Sequence, residues 1–113
     1  MKALILGAAL AAIQPPALIP FGVYDRCEIF GAATPTPLPA RWSIEFYDVP
    51  NYSFLDQPGA YELRGSKIHW TSGILKSEEP GDYDPVARTV RFRPVTVMGG
   101  LPSGTRLVCT FKG

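Results

Sequence analysis

The sequence predicts an all-β fold, a small antiparallel β-barrel of about seven to eight short strands. Three observations carry that expectation. Several short runs alternate apolar and polar residues, the period of a half-buried strand. Twelve prolines and eleven glycines divide 113 residues into short elements joined by turns. The two cysteines, Cys27 and Cys109, fall in what read as the first and last strands. A disulfide between them makes those strands neighbours, as in a closed or nearly closed barrel, which also removes exposed sheet edges. A two-sheet β-sandwich is the alternative. Beyond the N-terminal segment no run shows a 3.6-residue apolar period, and no solenoid-type repeat occurs.

The N-terminus reads as a Sec-type export signal over residues 1–11. Met1-Lys2 is a short positive region, ALILGAAL an apolar core, and Ala9-Leu10-Ala11 a small-x-small cleavage pattern, with a cut after Ala11 or Ala12. The apolar run to Ile13 is shorter than the ~20 residues that span a bilayer. The mature chain is therefore expected in the periplasm or outside the cell with no membrane span. Residues 12–20 form a proline-rich tail, and residues 21–113 a single β domain. Loss of Lys2 leaves ten basic and ten acidic residues, so bulk charge gives no handle for nucleic acid or an anionic membrane. In an oxidising compartment, with two cysteines, only one pairing exists, Cys27 with Cys109.

FGVYDRCEIF is the first strand. GAATPTPLPA, with Pro35, Pro37 and Pro39 on alternate positions, is extended loop. RWSIEFYD alternates, with Trp42, Ile44 and Phe46 on one face. VPN turns the chain and YSFL returns it. Gln57-Pro58-Gly59-Ala60 has proline and glycine placed for a type II turn. LKSEEPGDYDP reads as polar loop. ARTVRFRP alternates, with Val90 and Phe92 facing in and Arg91 and Arg93 sharing the outer face. VTV reads as a short strand extension, MGGLPSG as loop, and TRLVCTF as the last strand, with Leu107, Cys109 and Phe111 on one face.

YELRGSKIHWTSG holds the only histidine, His69. Gly65-Ser66 suits a two-residue type II′ hairpin, glycine first. That centre sets Tyr61 opposite Trp70, Glu62 opposite His69, Leu63 opposite Ile68 and Arg64 opposite Lys67. One face is then apolar and the other polar, which pins the register. His69 is expected outside, paired across the strands with Glu62.

No catalytic constellation accompanies it. There is no G-x-S-x-G or S-x-x-K nucleophile motif and no phosphate-binding G-x-x-x-x-G-K-[ST] loop. Glu78, Glu79, Asp82 and Asp84 cluster, but their spacing fits no calcium loop. They read as a solvated acidic segment with Arg88, Arg91 and Arg93 as its counterpart. No cysteine or histidine is spaced for zinc or redox chemistry. No metal site, cofactor or catalytic residue is assigned.

The residues Tyr24 and Cys27, then Gly59, Tyr61, Gly65, Ile68, Trp70, Ser72, Gly73 and Leu75, then Cys109, resemble the pattern of small exported bacterial β-domain proteins of unassigned function. That resemblance implies a fold and no activity. Size, signal, barrel build, end-to-end disulfide and the Ser72-Gly73 loop are also similar to the periplasmic inhibitors of C-type lysozyme. Tyr83 and Lys112 fall later in the chain than that family's contact residues. This second resemblance implies Ser72 and Gly73 as a partner-binding loop. The expected function is non-catalytic binding of a protein or small ligand in the cell envelope, by a monomer. Alternatives are lysozyme-type inhibition, a structural envelope role, or a lipocalin-like carrier, for which a barrel this small has room only if aromatics leave the interior open.

Overall fold

The computed structural model describes residues 18–31, 36–39, 42–99 and 101–113. The expected export signal and residues 12–17 of the proline-rich tail lie outside the described residues, as do 32–35, 40, 41 and 100. The described strands are β1 Gly22–Phe30, β2 Thr36–Pro37, β3 Ile44–Asp48, β4 Asn51–Phe54, β5 Gln57–Arg64, β6 Lys67–Trp70, β7 Gly81–Asp84, β8 Thr89–Phe92 and β9 Arg106–Phe111. From β3 to β9 each strand pairs antiparallel with the next, and β1 pairs with both β3 and β9. Eight strands therefore close into an up-and-down barrel, with two-residue β2 lying against the outer end of β1. The barrel, rather than the sandwich, is the architecture.

Closure is fixed where the cysteines predict it. Cys27 and Cys109 are disulfide-bonded across the β1–β9 seam, 82 residues apart in sequence. A loop of that length gives roughly 4 kcal/mol on the chain-entropy account. Tyr24 and Cys27 are three residues apart, yet both face the interior. Simple alternation would send them to opposite faces. A β-bulge absorbs the extra residue: the register shifts between Asp25 and Glu28, with Arg26 at φ 51°.

The interior is a packed stack of rings. Tyr24, Phe46, Tyr52, Phe54 and Phe92 are essentially inaccessible, and Tyr61, Trp70 and Tyr83 nearly so. Most meet edge to face, as Phe46–Tyr61 (5.2 Å), Phe54–Phe92 (5.2 Å) and Tyr52–Trp70 (5.1 Å) do. Ile19, before β1, is buried at one end, where Tyr24 Oη donates to the Pro20 carbonyl (3.0 Å). Leu75, in the β6–β7 loop, is buried at the other.

Three local expectations are corrected. Gln57-Pro58-Gly59-Ala60 is not a turn but the start of β5, with Ser53 opposite Pro58 and Tyr52 opposite Gly59. The turn lies earlier, at Leu55-Asp56, both at positive φ (53° and 61°). Gly59 is demanded by packing: a Cβ there would lie 2.5 Å from the Tyr52 ring. The acidic segment is not all loop, since β7 runs through Gly81–Asp84 with Gly81 and Tyr83 facing in. VTV is not a strand extension. Val95–Met98 is a single helical turn, α1, closed by Gly99 in the left-handed conformation. Pro94, with no N–H, ends β8 just before it.

Candidate functional site

The hairpin forms in the expected register, Tyr61 to Trp70 through Arg64 to Lys67. Gly65 takes φ +62°, as the first residue of a type II′ turn must. Tyr61, Ile68 and Trp70 are buried, Leu63 is half-buried, and the indole N–H of Trp70 donates to the Glu79 carbonyl (3.2 Å). His69 is half-buried on the outer face. The expected Glu62–His69 pair does not form. The Glu62 carboxylate turns to Arg64, two residues along its own strand and face, at 2.7 Å. A guanidinium offers a permanent charge and several donors, which imidazole does not. Lys67 is drawn away from Arg64 to Asp82 on β7 (2.7 Å).

Ser72 and Gly73 lie together on the exposed loop after β6. Their polar groups are tied to the barrel. Ser72 Oγ accepts from the Ala60 N–H (2.9 Å), and its carbonyl accepts from Tyr52 Oη (2.8 Å). Gly73 sits at φ +87°, where a Cβ would fall 2.6 Å from Tyr52 Oη and 2.8 Å from Gly59 Cα. The same Tyr52 hydroxyl accepts from the Leu75 N–H (3.2 Å), which sets Leu75 into the barrel end. The Ser72 carbonyl and Oγ lone pair and the Gly73 carbonyl are thus spent on the barrel and the loop itself, which holds the loop in one shape.

The four clustered carboxylates go to four places. Glu78 accepts from the Thr96 N–H (3.0 Å) and Glu79 pairs with Arg106 (2.6 Å) and Arg93 (3.9 Å). Asp82 holds Lys67, and Asp84 Oδ1 accepts from the Val86 and Ala87 amides (2.9 and 3.1 Å) to cap the β7–β8 turn. Among the described residues no three metal-ligating side chains converge. The arginines also separate. Arg93 does not share the open face with Arg91. It folds over the barrel end, donating to the carbonyls of Thr105 and Pro102. Arg88 stacks on the Phe111 ring at 4.2 Å.

Arg91 stays on the outer face, and it lines a groove that sequence reasoning did not find. The groove holds about 420 Å³ and runs over β7, β8, β9 and the end of β1. Its floor is Phe30 and Val108, and its walls include Thr89, Arg91 and Arg106. Strand alternation marks each as outward-facing. Their convergence depends on β1 returning beside β9, which places Phe30 opposite Arg106 and Glu28 opposite Val108.

No family model matches the sequence, no curated protein matches it, and no solved structure matches the fold.

Proposed function

We propose that the chain is an exported, non-catalytic binding protein of the periplasm or extracellular space that engages its partner through the outside of the barrel. The observation that carries this reading is the filled interior. Aromatic rings occupy the space a lipocalin-like carrier uses for its ligand, which leaves grooves and loops on the outer surface for recognition. The disulfide suits an oxidising compartment, and the N-terminal export pattern agrees with it. No helix among the described residues is long and apolar enough to cross a membrane.

The test is retention of a discrete component of a periplasmic or extracellular fraction by the immobilised, oxidised protein, with the reduced, denatured chain as control. Retention no greater than the control overturns the reading. Inhibition of C-type lysozyme is a second form of it, supported by the exposed Ser72-Gly73 loop at the barrel end. It expects a complex with lysozyme that Ser72→Arg weakens. Absence of a complex at micromolar protein removes that form alone.

A further inference from the structure

We propose that the outer groove over β7, β8, β9 and the end of β1 binds the free C-terminus of a peptide whose last residue is apolar, with Arg91 holding the terminal carboxylate. This rests on the reading of the chain as a binding protein and names the chemistry of its ligand.

Arg91 is the cation left over on this face. Its partner across the β7–β8 ladder is Asp82, whose carboxylate is taken by Lys67 at 2.7 Å. Asp84, two pairs further along the ladder on the same face, spends Oδ1 on two turn amides. Glu28 lies two strands away beyond Val108, about 10 Å at ordinary strand spacing. Arg106, the other arginine of the groove, is bound to Glu79 at 2.6 Å. No ion pair joins Arg91 to any described residue. A guanidinium fork without an acceptor, above an apolar floor, is complementary to a carboxylate that carries an apolar group.

The spacing selects a C-terminus over an acidic side chain. Val108 stands directly opposite Arg91, so their side chains share a face about 5 Å apart. Phe30 lies one step on, opposite Arg106. In an extended peptide an acidic residue and its apolar neighbour point to opposite faces. A C-terminal residue carries carboxylate and side chain on one Cα, which matches the Arg91–Val108 spacing. Beside Phe30 the groove is closed by Gly31 and Gly104, whose backbones meet so closely that a Cβ on Gly31 would fall 2.5 Å from the Gly104 carbonyl. The peptide therefore leaves toward Thr89 and Asp84, which also line the groove. The volume of about 420 Å³ suits one or two residues, within the roughly 300–1,000 Å³ of ordinary ligand sites.

The experiment titrates the oxidised, isotope-labelled protein with acetyl-Ala-Phe and with the same dipeptide as its C-terminal amide, following backbone amide shifts. The expected result is saturable shifts at Phe30, Thr89, Arg91, Arg106 and Val108 with the free acid, and affinity at least about tenfold weaker for the amide, as loss of a charge-assisted pair implies. Arg91→Gln should bring the acid down to the level of the amide, with unchanged spectra elsewhere, since an exposed, unpaired Arg91 leaves the fold intact. Equal affinity for acid and amide, discrimination surviving in Arg91→Gln, or no saturable shift up to about 10 mM, where a ~1 mM site would be nearly full, overturns the proposal. Partner capture that is indifferent to Arg91→Gln, with no dipeptide binding, removes this site and leaves the broader reading standing. Dipeptide binding without any retained partner does the reverse.

Discussion

Tyr52 is the side chain on which one end of the barrel depends. Its ring packs on Trp70 and lies against Gly59 and Gly73, and its hydroxyl bridges the Ser72 carbonyl and the Leu75 N–H. Tyr52→Phe keeps the ring and removes the bridge, leaving a buried amide without a partner. Unfolding free energy should fall by about 1–3 kcal/mol, read as a lower urea midpoint at unchanged m-value. The Leu75 amide should also lose hydrogen-exchange protection. A loss below about 0.5 kcal/mol would show that the bridge carries nothing beyond ordinary surface effects. At this scale the sequence was legible where a partner is local. Trp70 facing in and His69 facing out follow from a two-residue hairpin. The clamp on Ser72 and Gly73 was not legible, because its hydroxyl comes from 20 residues earlier and reaches them only once the sheet has curved. The Glu62–His69 pair failed for a related reason: register sets which residues are opposite, but a stronger donor on the same face, Arg64, decides the bond.

The β4–β5 hairpin shows how an element can be misread through its strongest local signal. Pro58-Gly59 looks like a turn, yet both residues lie in the ladder, where Gly59 makes room for the Tyr52 ring. Leu55-Asp56 makes the turn instead, with consecutive left-handed residues as in a type I′ hairpin. Neither residue is glycine, so the turn carries avoidable strain. Leu55 packs on the core and cannot be spared. Asp56 is exposed. Asp56→Gly should stabilise the protein by about 0.5–1 kcal/mol, the relief of one left-handed side chain less the added freedom of the unfolded glycine. The check is a raised urea midpoint; an unchanged or lowered one would place the strain elsewhere. β7 went unread for a compositional reason. Gly81-Asp82-Tyr83-Asp84 alternates properly, but glycine and aspartate are poor strand formers, and only Tyr83 signals an interior face. β3 and β8 carry β-branched and aromatic residues on the inner face, β9 carries Leu107, Cys109 and Phe111 there, and all three were legible from period alone.

For the molecule as a whole, barrel closure was legible because two cysteines at the chain's ends define it, while the outer groove was not, because its residues come from four strands whose adjacency is itself the product of closure. Closure also fixes how the protein responds to pH. It buries three tyrosines whose hydroxyls are pushed above the ordinary value of 10.0, in each case chiefly by removal from water. Tyr24 is raised further by its neighbour Tyr83, Tyr61 further by Asp48, while the Leu75 amide opposes the rise at Tyr52. The native state thus holds phenolic protons that the unfolded chain releases once the pH passes 10. Wherever the native state binds more protons, stability falls with rising pH. The contribution of these three groups is complete below pH 10 and declines as the pH climbs from 10 toward their raised native values. Urea midpoints should accordingly hold steady up to about pH 9.5 and then fall, with tyrosinate absorbance from these residues appearing together with unfolding rather than ahead of it. The decisive comparison is Tyr61→Phe. That variant has no phenol to ionise at position 61 and should lose stability less steeply above pH 10 than the parent. An identical slope in the two proteins would show that the Tyr61 phenol contributes nothing to the alkaline loss of stability.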